Sequence, residues 1–202
     1  MNIYITPQKS AEGEITEKRS RFIANIKSVS NEQEALEFVK EIKKKYYDAK
    51  HNVFAYITDG IKRYNDDGEP SKTGGYPILE MFDAQNITDV VCVVTRYFGG
   101  VLLGTGGLVR AYTAAAKLAL ENAGVKKMML HDELIITVPY SLLESVKHLA
   151  GKSGCEFEDC EYADVVKVRA VCNTENTESL KQAITGTFGI NVKIEDGNKV
   201  YR

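Results

Sequence analysis

The chain has 202 residues, of which 44% are hydrophobic and 27% are charged, as in an ordinary globular protein. No apolar run approaches the roughly 18 residues that a membrane span needs, and the first residues lack the apolar core of a signal peptide. We therefore expect a cytoplasmic protein without membrane contact. The 26 basic residues nearly balance the 28 acidic ones. This balance is too mild to predict nucleic-acid binding by bulk charge, and any such binding would need a local patch.

The cysteines and histidines do not form any recognisable ligand pattern. The four cysteines show no CxxC spacing, and the three histidines show no HxH or HxxxH pair. We interpret the cysteines (Cys92, Cys155, Cys160 and Cys172) as small apolar residues of predicted strands. Neither a disulfide framework nor a zinc site is indicated. We predict no metal, no cofactor and no catalytic nucleophile.

The first predicted elements lie between residues 19 and 58. Alternating apolar residues in Arg19–Lys27 predict a strand with one buried face. Asn31, followed three residues later by Glu34, forms a capping box that predicts the start of a helix. His51–Thr58 predicts a second strand.

The next segment, Lys62–Pro77, is too polar and too rich in glycine and proline for a regular element. We predict a long loop there, with Pro77 as the first residue of a short helix. Such a loop could bind a cation or a polar ligand, but its composition alone favours a solvated turn. The polar candidates in and beside it are His51, Asp66, Asp67, Glu69, Ser71 and Thr73.

A strand, a glycine-rich loop and a helix follow one another from Asp89 to Leu120. Val90–Val94 is a continuous run of mainly β-branched residues, which predicts a strand buried on both faces. Helix N-termini carry unpaired amides and partial positive charge, so they bind anions. Arg96 leaves the strand, and we expect Arg110 in the first turn of the helix. The candidate anion or nucleic-acid site comprises Arg96, Tyr97, Gly99, Gly100, Gly104, Gly106, Gly107 and Arg110.

Two nucleotide motifs do not fit this loop. A Walker loop closes with Gly-Lys-Ser or Gly-Lys-Thr, and no lysine lies between Val101 and Tyr112. The dinucleotide fingerprint would need a glycine where Val109 stands. Alternatively, the glycines serve only to permit unusual backbone angles and close packing. Both interpretations remain open at this point.

The second half of the chain predicts a different arrangement. Glu133–Pro139 predicts a strand, and Ser141 with Glu144 predicts a capped helix. A hairpin, a helix ending at Gly189 and a strand over Ile190–Glu195 complete a βαββαβ order, as in ferredoxin-like domains. We place the boundary near residue 130, which gives two α+β domains, 1–130 and 131–202.

Four blocks of the first half identify a resemblance. Thr95–Tyr112 closely resembles the signature of the YigZ/IMPACT family, and Ser20–Ala24, Ala49–Asn52 and Asp66–Ser71 agree with it. The resemblance covers about residues 18–125. The family's acidic block continues with Gly-Thr-Ala-Gly, whereas this chain has Lys72–Gly75 (KTGG). The added lysine leaves the partner of that loop open.

The resemblance implies a fold for each domain and a role in translation. The first domain should be of the ribosomal-protein-S-five domain 2-like type, as in domain IV of elongation factor G, and the second should be similar to domain V. Eukaryotic members of the family control translation through contacts that affect a stress kinase. They carry an additional N-terminal domain for partners, so we do not transfer the kinase role.

Two functions follow as hypotheses. The first is a translation-associated binding protein that engages RNA, the ribosome or a translation factor through the glycine loop, without DNA sequence specificity. Arg96 and Arg110 would bind phosphates, and Tyr97 or Phe98 could stack on a base, although core packing is the ordinary role for Phe98.

The second hypothesis is an enzyme for a phosphorylated or carboxylated small molecule. There, Asp67 and Glu69 would hold Mg²⁺ or supply a base, and His51 is the best candidate acid or base.

Overall fold

The computed structural model describes residues 3–202, which divide into two compact units. The N-terminal unit comprises residues 4–127, and the C-terminal unit comprises residues 128–202 together with residue 3. None of the helices within residues 3–202 combines the length and hydropathy that crossing a bilayer requires.

An antiparallel five-stranded sheet, in the order β2-β3-β6-β4-β5, forms the centre of the N-terminal unit. Its strands are β2 (Ala11–Glu17), β3 (Ser20–Ser28), β4 (His51–Thr58), β5 (Ile61–Asn65) and β6 (Val90–Tyr97). A first short strand, β1 (Ile3–Pro7), makes a parallel bridge between Ile5 and Ile87. The helices are α1 (Glu32–Lys45), α2 (Gly75–Ala84) and α3 (Gly104–Ala123).

Strand β6 is buried on both faces, which confirms the prediction from its apolar run. Val90, Cys92 and Val94 belong to the core beneath α2 and α3, whereas Val91 and Val93 belong to the core beneath α1. Because helices cover both sides, the positions from Val90 to Val94 are all apolar. Burial also raises the pKa of the Cys92 thiol.

Local signals determine the start of α1 and the end of α3. The Asn31 side chain accepts a hydrogen bond from the Glu34 amide at 2.9 Å, and Glu34 accepts one from the Ser30 amide at 2.9 Å. This is the expected capping box of α1. Gly124, with φ of 64°, ends α3.

Several predicted boundaries were wrong. The predicted loop over residues 62–77 contains the end of β5 and the start of α2, so the irregular segment is residues 66–74. Pro77 is the third residue of α2, which begins at Gly75. Arg110 is the seventh residue of α3 and lies in its second turn, because the helix already begins at Gly104.

The C-terminal unit has the predicted βαββαβ order. Its elements are β7 (Val125–Val138), α4 (Leu143–Lys152), β8 (Glu156–Tyr162), β9 (Val166–Asn173), α5 (Thr174–Phe188) and β10 (Lys193–Tyr201). Strands β8, β9, β7 and β10 are neighbours in that order, and all these pairs are antiparallel. The arrangement is ferredoxin-like. Inward residues of the sheet form one core with α4 and α5.

Three details of the C-terminal unit differ from the prediction. The last strand begins at Lys193, after a 3-10 turn over Gly189–Asn191. Ser141 lies in another 3-10 turn, so its side chain does not cap α4. Cys155 and Cys172 form a disulfide, whereas we had interpreted both as unpaired apolar residues. Their separation of 17 residues matches no local motif.

Candidate functional site

The acidic loop, residues 66–73, is held in place by its own carboxylates. Asp66 Oδ1 accepts hydrogen bonds from the amides of Gly74 at 3.0 Å and Gly75 at 2.8 Å. Its Oδ2 accepts a bond from the Lys72 amide at 2.7 Å. These amides lie at the start of α2, where the helix itself leaves donors unpaired. Asp66 therefore supplies the acceptors that the helix start needs.

Asp67 connects the same loop to α1 and β4. Its Oδ1 accepts from Lys43 Nζ at 2.8 Å, and its Oδ2 accepts from the Asn52 amide at 2.7 Å. Its backbone carbonyl lies 2.8 Å from His51 Nδ1. A carbonyl can only accept, so His51 Nδ1 carries the proton and donates it. His51 Nε2 then lies 4.0 Å from Glu69 Oε1.

Glu69 and Arg96 form a buried ion pair. Arg96 Nη1 donates to Glu69 Oε1 at 2.7 Å, and only 7% of the arginine side chain and 4% of the glutamate side chain are exposed. The Tyr112 hydroxyl donates to the same oxygen at 2.7 Å. Burial, together with this bond to Glu69, raises the pKa of Tyr112. The pair consequently forms one network that joins the acidic loop, β6 and α3.

The Arg96 guanidinium lies close to two aromatic rings. Its central carbon is 5.4 Å from the ring centre of Phe22 and 5.5 Å from that of Phe98. These distances are typical of cation–π contacts. Arg96 Nε is buried and has no hydrogen-bond partner within residues 3–202.

A cavity of about 300 Å³ opens beside this network and is lined by Lys50, His51, Arg96, Phe98 and Leu102. Phe98 is 53% exposed and Leu102 is 82% exposed. The core-packing role considered for Phe98 is therefore wrong. Lys50 is exposed and makes no ion pair with a described residue. The cavity thus combines apolar surface with positive charge.

The glycines of the loop between β6 and α3 have different structural roles. A Cβ at Gly99 would overlap the backbone of Arg19 and Ser20, so only glycine fits there. Gly100 and Gly104 have φ of +84° and +71°, a region that favours glycine. Gly106 has neither constraint and is exposed. Gly107 is half-buried beside Leu103.

The N-terminus of α3 is open to solvent and has no side-chain cap. Arg110 is exposed, and its Nη1 lies 3.6 Å from the position of a Cβ at Gly106, so its side chain extends back over the first turn. It makes no hydrogen bond or ion pair with residues 3–202. Arg110 lines a groove of about 230 Å³ with Glu17 and Gly107. Arg96 and Arg110 thus line separate cavities, although the sequence grouped them in one site.

The remaining predicted residues have local roles. The Tyr97 hydroxyl donates to Asp48 Oδ1 at 2.7 Å, and this bond raises the pKa of the tyrosine. Thr73 is buried and donates to the Pro70 carbonyl at 2.6 Å. Ser71 is exposed. Within the described residues there is no group of three or more histidine, cysteine or acidic side chains that could hold a metal ion.

Comparisons with known proteins match both units. The model of the Impact N-terminal domain matches residues 18–120, and that of a domain of unknown function (DUF1949) matches residues 136–188. IMPACT family member YvyE of Bacillus subtilis is 34% identical over 204 residues, which cover 100% of this chain and 94% of that protein. The chain belongs to the IMPACT family. IMPACT family member YigZ of Escherichia coli is 31% identical over 157 residues, covering 75% of this chain and 77% of that protein.

More distant relatives share one domain or the fold. Protein IMPACT of Bos taurus is 30% identical over 116 residues, which cover 54% of this chain and 36% of that protein. A crystal structure of a hypothetical protein covers 98% of both chains with a TM-score of 0.65 and 24% identity, so it supports the two-unit fold. The acidic loop, the glycine loop and both cavities lie within the matched IMPACT domain, apart from Ile15 and Glu17 at the edge of the Arg110 groove.

Proposed function

We propose that this IMPACT-family protein is a cytoplasmic, translation-associated protein that binds RNA through the exposed glycine loop at the start of α3. One observation carries the proposal. The amides at this helix start have no side-chain cap, and the Arg110 guanidinium, which has no acidic partner in residues 3–202, extends over them.

A phosphate fits this arrangement better than other groups do. Helix N-termini present N–H donors and partial positive charge, and an arginine adds a full charge that can bind two phosphate oxygens. A Cβ at Gly100 would meet no atom within 4 Å, and one at Gly106 would meet only Arg110 Nη1 at 3.6 Å. Such contacts hold the nucleic acid without reading its sequence.

An exposed aromatic ring precedes these donors in the sequence and lines the separate Arg96 cavity. Phe98 lies immediately before the glycine loop and has half of its surface in solvent. Aromatic side chains of this kind stack on unpaired bases in proteins that bind single-stranded RNA. The combination of backbone donors, arginine and exposed phenylalanine therefore favours RNA over a purely acidic protein surface.

The acidic loop gives no support to the enzyme hypothesis. Both carboxylate oxygens of Asp66 and both of Asp67 already accept hydrogen bonds from the chain. Glu69 is buried and binds Arg96 and Tyr112. These contacts build the fold of the loop and occupy both carboxylate oxygens of Asp66 and Asp67 and one oxygen of Glu69.

Salt-dependent co-sedimentation with ribosomes, and binding to a fluorescent single-stranded RNA, test the proposal. We expect binding to weaken steeply between 50 and 200 mM salt, since phosphate contacts release counterions. Arg110→Ala should weaken RNA binding and reduce the salt slope by about 1. Lys117→Ala, in the same helix, is the matched control, because Lys117 is exposed and lies 3.9 Å from Glu121. Binding by Arg110→Ala equal to that of the parent, or no binding by the parent, would refute the proposal.

A further inference from the structure

We propose that the turn between β2 and β3, formed by Lys18 and Arg19, is a second phosphate-binding element for RNA, and that these two residues are kept there at the expense of stability. The inference rests on the proposed RNA binding and extends it from the start of α3 to a neighbouring hairpin. Four observations carry it: the backbone of the turn, a second hairpin in the same sheet, the unpaired side chains and the position of the turn.

The backbone of this turn has a conformation that its residues disfavour. Glu17 pairs with Ser20, so only two residues connect the strands. Lys18 has φ of 45° and Arg19 has φ of 66°. A two-residue hairpin loop with positive φ at both positions is a type I′ turn, which strongly favours Asn-Gly or Asp-Gly. In other residues the left-handed backbone brings Cβ too close to the following carbonyl oxygen.

The other hairpin of the same sheet has the residues that such a turn prefers. Asp59 and Gly60 connect β4 to β5, where Thr58 pairs with Ile61, and their φ angles are 50° and 73°. The two turns therefore share their length and their left-handed backbone, but only the turn between β4 and β5 has the favoured pair. A local choice that conflicts with the backbone in this way is typical of functional sites.

The Lys18 and Arg19 side chains do not support the fold. Both residues are exposed, and neither side chain makes a hydrogen bond, an ion pair or a cation–π contact within residues 3–202. Lys72 also has a positive φ, but its amide donates to Asp66 Oδ2 at 2.7 Å, which stabilises its backbone. The turn thus presents two positive charges that the described part of the chain does not neutralise.

The turn adjoins the proposed RNA site on two sides. A Cβ at Gly99 of the glycine loop would overlap the backbone of Arg19, and the Gly99 amide donates to Ser20 Oγ at 3.1 Å. Glu17, the last residue of β2, lines the groove that contains Arg110. The two cations of the turn and Arg110 outnumber this one carboxylate. Additional cations beside a phosphate site strengthen binding, because each neutralised phosphate releases counterions.

Replacement of the turn by the favoured pair tests the binding and the stability in one protein. The turn variant, Lys18→Asn with Arg19→Gly, should raise the midpoint of thermal unfolding by about 2–4 °C. It should also weaken binding of a fluorescent single-stranded RNA roughly tenfold at low salt and reduce the salt slope by about 1.4, since each phosphate of a single strand contributes about 0.7. Because the turn variant should be more stable than the parent, unfolding would not explain a loss of binding.

Lys126→Gln with Lys127→Gln is the matched control for charge. Both lysines are exposed, make no ion pair with a described residue and follow the C-terminal end of α3, a helix of 20 residues that is about 30 Å long. This control removes the same charge far from the glycine loop and should bind RNA like the parent.

The outcomes separate this inference from the RNA proposal. If the parent binds RNA and Arg110→Ala weakens that binding, the RNA proposal stands. The inference is then overturned by a turn variant that binds like the parent or is no more stable than the parent, and also by an equal loss of binding in the lysine control. If the parent binds no RNA even at low salt, both proposals are wrong.

Discussion

The acidic loop and the glycine loop (residues 98–103) both contain glycine and both precede a helix, but the first is polar and the second is mainly apolar. In the structure they differ completely. The acidic loop directs its carboxylates inward, where Asp66, Asp67 and Glu69 bind groups of five other elements. The Gly99 amide of the glycine loop donates to Ser20 Oγ at 3.1 Å, but the start of α3 that follows has no side-chain cap, and Arg110 in that helix is exposed. The charge of a loop therefore indicates a binding site only when the fold has not already neutralised it.

Glu69→Ala should produce the largest loss of stability. It leaves Arg96 buried without its counter-ion, and breaking such a pair in this way costs about 3–5 kcal/mol. Urea unfolding of Glu69→Ala and of a control variant measures this loss of stability. Glu121→Ala is the control, since Glu121 is 60% exposed in its pair with Lys117 and should change stability by less than about 0.5 kcal/mol. Equal midpoints for the two variants would contradict the internal role of the acidic loop.

Gly99→Ala should be the next most damaging change. The new Cβ would overlap the Arg19 backbone, and overpacking of this kind costs about 1–3 kcal/mol. Gly106→Ala, in the first turn of α3, meets no such obstruction and should stabilise the start of this helix by about 0.5–1 kcal/mol. Thermal unfolding of the Gly99→Ala and Gly106→Ala variants measures these opposite changes in stability. A destabilised Gly106→Ala would show that the loop is more constrained than its exposure indicates.

Asp66→Ala should have an intermediate effect. It removes the acceptor for two amides at the start of α2, and loss of such a cap costs about 1–2 kcal/mol. Asp83→Ala is the comparison, because Asp83 is 56% exposed in its ion pair with Lys62. Hydrogen exchange of the Gly74 and Gly75 amides should accelerate only in Asp66→Ala. Unchanged exchange would mean that these amides do not depend on Asp66.

Arg110→Ala should leave stability within about 0.5 kcal/mol of the parent, since the side chain contacts no acidic partner. Chemical denaturation checks this on the same samples that are used for RNA binding. A large loss of stability would mean that Arg110 supports the fold, and the contrast between the loops would then disappear.

The parts of the fold that could be predicted depend on local signals. The Asn31 cap and the apolar β6 were predicted because neighbouring residues determine them. Strand β2 was not predicted because Gly13 occupies an inward position, where Ala119 of α3 approaches too closely for a larger residue. A glycine at that position removes the alternation that identifies a strand.

The candidate site shows which features the sequence could not predict. Its residues could be identified, since the relevant types are concentrated in two loops. Their partners could not, because Glu69 and Arg96 are 27 residues apart and their pairing depends on the tertiary fold. The sequence consequently grouped Arg96 with Arg110, whereas only Arg110 is free. The exposure of Phe98 was also not predicted, because the neighbouring residues do not show whether its side chain points into the core or into solvent.

The contact between Arg96 and Phe98 has a consequence for affinity. An exposed side chain usually loses rotational freedom when a ligand orders it, and this loss lowers the net affinity by about 0.5–1.5 kcal/mol per side chain. Here the guanidinium, anchored by Glu69 and Tyr112, already holds one face of the phenyl ring. The buried ion pair thus preorganises an aromatic surface for whatever stacks on its other face.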